Sequence, residues 1–280
     1  MNRTMKLCAA ACLALCAANV FATAVSEAPP VAPAPVKQDT LTIYVVRHGQ
    51  TIFNLMDRVQ GISDGILTER GIVGAVNMGK GLRDVPFAAV YSSDLKRAIE
   101  TARLAMEQNR ATRSWTVKEM PELREVSFGV FEGDPNWMMY AAFGKDLGLD
   151  IPEDAKSIGA AVAPIIQYYK GDMKKFLEGL ADFNKRIDTE YRISEDAAEV
   201  YARLRKGMDA IVAENPFGGN VMLVAHGQSI SFLLAAINVE VAEQLGNSSV
   251  TKLVYSFVTQ TYHLEGPAGD MSYAEAGANL

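Results

Sequence analysis

Two histidines stand in matched surroundings. Val45-Val-Arg-His-Gly-Gln-Thr51 and Leu223-Val-Ala-His-Gly-Gln-Ser229 each place an imidazole, His48 and His226, directly after a short apolar run. The third and last histidine, His263, has no such setting and is assigned a structural role. An imidazole can serve as nucleophile, proton carrier or metal ligand. A catalytic zinc needs about three protein ligands, and the chain has neither an HExxH pattern nor a Cys/His cluster to supply them, so no metal is expected. A GxSxG nucleophile elbow and a Walker-type glycine loop are also missing, which disfavours serine hydrolase and nucleotide-hydrolase chemistry. The neighbouring cations point elsewhere. Arg47 adjoins His48, and Ser92-Ser-Asp-Leu-Lys-Arg97 sets Arg97 near the start of a predicted helix. Two guanidiniums and two imidazoles would surround one anion, and guanidinium forks match tetrahedral phosphate oxygens. Taken alone, Arg97 also reads as a solvated helix residue.

These groups need a scaffold that gathers them. Leu41–Val46 and Val221–Ala225 are apolar, β-branched runs without strict alternation, as expected for strands buried on both faces of a parallel sheet. Ala88–Tyr91 is a third. Helical patterns begin near Thr68 and Asp94 and span roughly Glu195–Glu214, where Val200, Leu204, Met208, Ile211 and Val212 share one face. Val250–Val258 and Thr261–Leu264 read as closing strands, and the tail after Gly266 as poorly ordered. Alternating strands and helices predict an α/β three-layer sandwich with a mostly parallel central sheet. In such sheets ligands bind beyond the carboxyl ends of the strands, where both histidines are placed. Residues about 134–193 break the rhythm, with Trp137, Met138, Met139, Tyr140, Phe143, Tyr168 and Tyr169 among glycines and charges. They read as a helical cap insertion, whose aromatics also fit a small core of their own.

With these residues in view, Arg47-His-Gly-Gln-Thr-Ile-Phe-Asn54 resembles the RHGxTxxN signature of the histidine phosphatase superfamily, which includes the cofactor-dependent phosphoglycerate mutases. Further blocks follow in order: Gln60-Gly61, Asp64, Leu67-Thr68-Glu69 and Gly71; Tyr91 to Ala102; Glu122-Leu-Arg-Glu125 with Gly129 and Glu132-Gly133; and Val224-Ala-His-Gly227. The resemblance covers roughly residues 40–133 and 195–258. It implies that His48 is the nucleophile of a phosphohistidine mechanism and Glu125 the proton donor. Arg47, Arg97 and His226 would then form the phosphate pocket, with Asn54, Gln60 and Gly61 on the substrate-binding side and no cofactor. Glu119, Glu122 and Glu132 are rival acids. Ser127 stands where several relatives have histidine, and Gly65-Ile66 replaces a small-residue-proline pair. The branch of acid phosphatases and phytases fits less well, because its last motif is typically His-Asp and here it is His226-Gly227.

Composition bounds the rest. The chain has 280 residues, a net charge of −6 and 49% hydrophobic residues, enough for a sizeable core. That charge argues against a nucleic-acid binder. Arg3 and Lys6 precede the uncharged run Leu7–Ala18, and Ala22-Thr-Ala24 offers a small-x-small cleavage site, so residues 1–24 read as a secretory signal peptide. The run is too short for a helix across about 30 Å of hydrocarbon, and no stable membrane insertion is expected after cleavage. All three cysteines, Cys8, Cys12 and Cys16, lie within it; a lipid-modified cysteine is the minor alternative. Residues 25–37, with Pro29, Pro30, Pro33 and Pro35, read as an extended linker, and the folded domain as residues 38–280. The expectation is a periplasmic or secreted phosphomonoesterase acting on a small-molecule phosphomonoester or a phosphoprotein. The alternatives are a phosphoglycerate mutase-type transferase and an inactive phosphate-ligand binding protein. Oligomeric state is not legible in the sequence.

Overall fold

Pairing of the central strands decides where the two histidines meet. In the computed structural model, which describes residues 37–152, 156–239 and 245–280, β1 (Thr40–Arg47) pairs in parallel with β4 (Gly219–Ala225), Arg47 lying opposite Ala225. The next residue of each strand is a histidine, and the His48 N–H donates to the Ala225 carbonyl at 3.0 Å. β2 (Ala89–Ser92) pairs in parallel with β4 and with β3 (Val117–Glu119), while β5 (Val250–Ser256) and β6 (Thr261–Asp270) close the other edge antiparallel. The sheet order is β3-β2-β4-β1-β5-β6. Four parallel strands therefore deliver their carboxyl ends to one edge.

Strand alternation divides the core into two layers. Leu41, Ile43 and Val45 of β1 and Val221, Leu223 and Ala225 of β4 join one apolar cluster, whereas Val46, Met222 and Val224 join another. The first cluster takes in α7 (Ala197–Glu214) and α8 (Gly227–Ala236), and the second α2 (Glu69–Gly81), α3 (Lys96–Met106) and α9 (Ser272–Ala278). The result is the expected three-layer α/β sandwich, with a single-turn α1 (Ile52–Leu55) following β1. Thr68 caps α2 through the Gly71 N–H, and Asp196 with Glu199 forms a capping box on α7. Among the described residues between β3 and α7 lie three α-helices, α4 (Asn136–Asp146), α5 (Ile158–Tyr168) and α6 (Met173–Ile187). Phe143, buried, sits 5.3 Å from Phe183 and 6.3 Å from Tyr169 and Phe176 between ring centroids, a small aromatic core.

Two elements depart from the sequence reading. The tail is ordered: β6 runs on to Asp270, and α9 packs against α2. It carries no strong apolar pattern because small residues make the contact; a Cβ on Gly277 would lie 1.8 Å from the Asn77 carbonyl oxygen, and one on Gly81 2.1 Å from that of Tyr273. The three-residue β3 has no apolar run to announce it. The segments expected as signal peptide and linker lie outside the described residues, apart from Lys37. Among the described residues no helix is long and apolar enough to cross a membrane.

Candidate active site

The carboxyl edge of β1 and β4 sets the rings of His48 and His226 side by side, with centroids 5.1 Å apart. Their hydrogen bonds give them opposite tautomers. His48 Nδ1 lies 2.8 Å from the Gly49 carbonyl oxygen, which can only accept, so Nδ1 carries the proton and Nε2 the free lone pair. His226 Nδ1 lies 3.1 Å from Arg97 Nε, which can only donate, so here Nε2 carries the proton. Both rings are buried. Burial, then the charge of Arg97, pushes each imidazole well below its usual pKa, keeping both neutral. One ring offers a nucleophilic nitrogen and the other an N–H.

Arg97 is fully buried and is itself held by a loop. Its guanidinium donates to Ser63 O at 2.9 Å, Asp64 Oδ1 at 3.2 Å and Gly61 O at 2.7 Å, besides His226, so four of its five N–H donors are occupied. Asp64 also accepts the Lys96 N–H at 2.5 Å, capping α3 from a distance and explaining why the helix starts beyond Asp94. Asp94 instead pairs with Arg124. The loop is fixed in turn by Glu132, whose carboxylate accepts N–H bonds from Gly61, Ile62, Ser63 and Phe128 at 3.0–3.1 Å. A Cβ on Gly61 would meet Glu132 Oε1 and the Val126 carbonyl oxygen at 2.2 Å, so only glycine fits. Glu132 thus acts on His226 at two removes, through the loop and Arg97.

Glu125, in the segment after β3, faces the same centre with its carboxylate against the first N–H groups of α8. Its Oε1 accepts from Ser229 N–H at 2.7 Å and Val126 N–H at 3.0 Å, and its Oε2 from Gln228 N–H at 3.0 Å. Burial nevertheless outweighs these bonds and raises its pKa. With two bonds on Oε1 and one on Oε2, the proton has room on Oε2. Of the rival acids, Glu122 pairs with Lys206 at 2.8 Å, Glu119 is exposed, and Glu132 is occupied as described.

A cavity of about 640 Å³ opens over the site, and Arg47, His48, Glu125, Asn54 and Gln60 line it. Arg97 and Gly61 are not among its lining residues, and His226 reaches the centre from beside the lining His48 ring. Both backbone groups of Gly61 are occupied, by Glu132 and Arg97. Asn54 accepts from the Thr51 N–H at 3.1 Å and Asn247 Nδ2 at 3.3 Å, and Asn247 also donates to the His48 carbonyl at 3.0 Å. Asn54 therefore braces the loop carrying His48. Arg47 is buried, binds the Leu245 carbonyl through Nη1, and leaves Nε without a partner. Gln60 Nε2 and His226 Nε2 are likewise buried and unpartnered. Buried donors left unmet cost stability and mark a place built for an acceptor. His263 lies exposed on β6, away from this edge. Ser127 is buried with its hydroxyl unpartnered. Among the described residues no group of three or more His, Cys, Asp and Glu side chains could hold a metal ion.

Sequence reasoning missed Glu132 as a brace, Asn247, and Gln228. The spacing that flags a strand-end histidine says nothing about which carboxylate folds a loop, and Asn247 is some two hundred residues from the loop it supports.

At the parallel edge of the sheet in this three-layer sandwich, two histidines and two arginines gather around one cluster of buried donors. A family model for the histidine phosphatase superfamily (branch 1) matches residues 43–157 and 159–264. The chain belongs to that superfamily. It is 28% identical over 248 residues to a probable phosphoglycerate mutase of Erwinia tasmaniensis, covering 84% of this chain and 95% of that protein. The crystal structure of a phosphoglycerate mutase from Bacillus anthracis matches with a TM-score of 0.72 and 32% identity, over 86% of this chain and 98% of that one. A mycobacterial glucosyl-3-phosphoglycerate phosphatase matches with a TM-score of 0.56 and 27% identity, over 81% and 97%.

Proposed function

We propose that the chain is an exported phosphomonoesterase that works through a phosphohistidine at His48. The observation that carries this reading is the pair of opposite tautomers beside unpartnered buried donors. A phosphate monoester seated there would take hydrogen bonds from Arg47 Nε, His226 Nε2 and Gln60 Nε2 on its non-bridging oxygens, offsetting charge in the transition state. His48 Nε2 attacks phosphorus, the N–P bond forms, the ester P–O bond breaks, and the Glu125 proton passes to the departing alkoxide. Glu125, now ionised, removes a proton from water. The water oxygen bonds to phosphorus, the P–N bond breaks, and phosphate leaves with His48 restored.

The names of the curated relatives favour a second reading, a mutase that returns the phosphoryl group to phosphoglycerate. Such an enzyme must hold a doubly phosphorylated intermediate and exclude water. Among the described residues lining the cavity, the cations are Arg47, Arg58 and Lys174, alongside Asp57 and Asp172. Lys174 is paired with Glu178, and Arg58 donates to the Gly133 carbonyl at 2.6 Å without a carboxylate partner among the described residues. A single guanidinium beside two carboxylates attracts a second phosphate only weakly, which supports water as acceptor. Export rests on the leader at residues 1–24. The test supplies 3-phosphoglycerate primed with 2,3-bisphosphoglycerate to protein recovered from the periplasm or medium. Free phosphate is expected to outpace 2-phosphoglycerate, with the mature N-terminus following Ala24. Isomerisation far ahead of phosphate release would make it a mutase, and an intact N-terminus retained in the cytoplasm would refute export.

A further inference from the structure

The cavity is far larger than a phosphate group, and its outer wall has a character of its own. Three helices build it. On α5, Ile158, Val162 and Ile166 recur every fourth residue and line the cavity, while Ala161 and Ile165, along the adjoining edge of the same apolar stripe, are buried in the fold. Ile166 remains 38% exposed. On α6, Met173, Phe176 and Leu177 line it at helical spacing, and Met139 and Tyr140 do so from α4. An apolar stripe whose outer edge is kept partly open on a concave wall is surface left for a ligand.

The polar lining near it is of mixed charge. Asp172 caps α6 through the Lys175 N–H at 3.1 Å and pairs with the Lys175 ammonium at 2.7 Å. Asp57 Oδ1 accepts from Asn136 Nδ2 at 2.8 Å. Lys174 is paired with Glu178, whereas Arg58 gives one N–H to the Gly133 carbonyl and has no carboxylate partner among the described residues. A second anionic group on the substrate would therefore meet two carboxylates and one guanidinium beyond the catalytic centre.

On the reading that the chain is a phosphomonoesterase, we infer that the group it releases is a largely apolar alcohol, of aryl or medium-chain alkyl size, seated against α4, α5 and α6. The apolar wall binds the leaving group, and the buried donors bind the phosphate.

A homologous series of n-alkyl phosphates from ethyl to octyl, below micellar concentrations, tests this because leaving-group basicity barely changes along it. Each added methylene is expected to raise kcat/KM about fourfold, the factor for burying one such group, until the wall is covered. Phosphoserine and 3-phosphoglycerate should fall below butyl phosphate. In Ile166→Asp, a substitution at a partly exposed position, the octyl-to-ethyl ratio should drop at least tenfold. A flat series with ethyl phosphate turned over, or a ratio unmoved by Ile166→Asp, would overturn this inference while leaving the phosphomonoesterase intact. Failure to release phosphate from any ester, p-nitrophenyl phosphate included, would instead defeat the phosphomonoesterase reading.

Discussion

Replacing Arg97 by lysine keeps the charge and removes the fork. In the structure four acceptors, His226 Nδ1, Ser63 O, Asp64 Oδ1 and Gly61 O, surround the guanidinium at 2.7–3.2 Å from its donors. An ammonium has three protons at one point for four acceptors, so at least one acceptor loses its donor. If that acceptor is buried, as His226 Nδ1 and Gly61 O are, the fold should lose about 1–3 kcal/mol. In a domain of this size that is a fall in Tm of roughly 2–12 °C. Catalysis should suffer separately. Without the Arg97 Nε–H, nothing holds His226 in the tautomer that directs its Nε2–H outward, and loss of one such donor costs about 10²–10³ in kcat. Arg97→Lys is therefore assayed by thermal melting and by kcat on p-nitrophenyl phosphate. Arg110→Lys, at an exposed guanidinium paired with Asp84, serves as control, with an expected change within about 0.5 kcal/mol. A variant with both kcat and Tm close to wild type would refute the claim that Arg97 sets the His226 tautomer.

Glu125→Gln should slow alkyl phosphates by about 10²–10⁴, the range for a general acid, and p-nitrophenyl phosphate far less, because nitrophenolate leaves without a proton; equal losses on both would remove Glu125 from the acid role. The pH profile of kcat/KM on an alkyl phosphate follows from the same groups. Burial raises the Glu125 pKa, so its proton is present at low pH and lost as pH rises through that raised value. Burial and Arg97 depress the His48 pKa, so its lone pair is available from neutral pH down to that lowered value and lost below it. Wild type should show both limbs, and Glu125→Gln should lose the alkaline one; an alkaline limb unchanged in the variant would assign it to another group.

Some of this architecture was legible in the sequence, and the reasons differ by element. β1 and β4 announce themselves because a strand covered on both faces must be apolar throughout, and the histidine closing each is visible as a repeated motif. α7 carries its capping box and apolar face in plain sequence. The α2–α9 contact does not, since Gly81, Gly277 and Ala274 meet by smallness rather than by hydrophobic pattern. At the site, residue types identified His48, His226, Arg47 and Arg97, but only coordinates reveal that the Arg97 fork is spent largely on the protein. The same holds for the cap. Its aromatics look alike in sequence, yet Phe143 sits in a small core while Tyr140 faces the cavity, a distinction fixed by how α4 turns against α5 and α6.

The central claim, that phosphorus bonds to His48 Nε2, is tested most directly by trapping. Wild-type protein is mixed briefly with an isotopically labelled alkyl phosphate, quenched in alkali, where phosphohistidine survives and acyl phosphates do not, and mapped by peptide mass spectrometry. Label on the peptide carrying Arg47-His48-Gly49, bound to His48 and absent in His48→Ala, is the predicted result. Label on His226 or on any side chain other than His48, or turnover by His48→Ala at the wild-type rate, would contradict it.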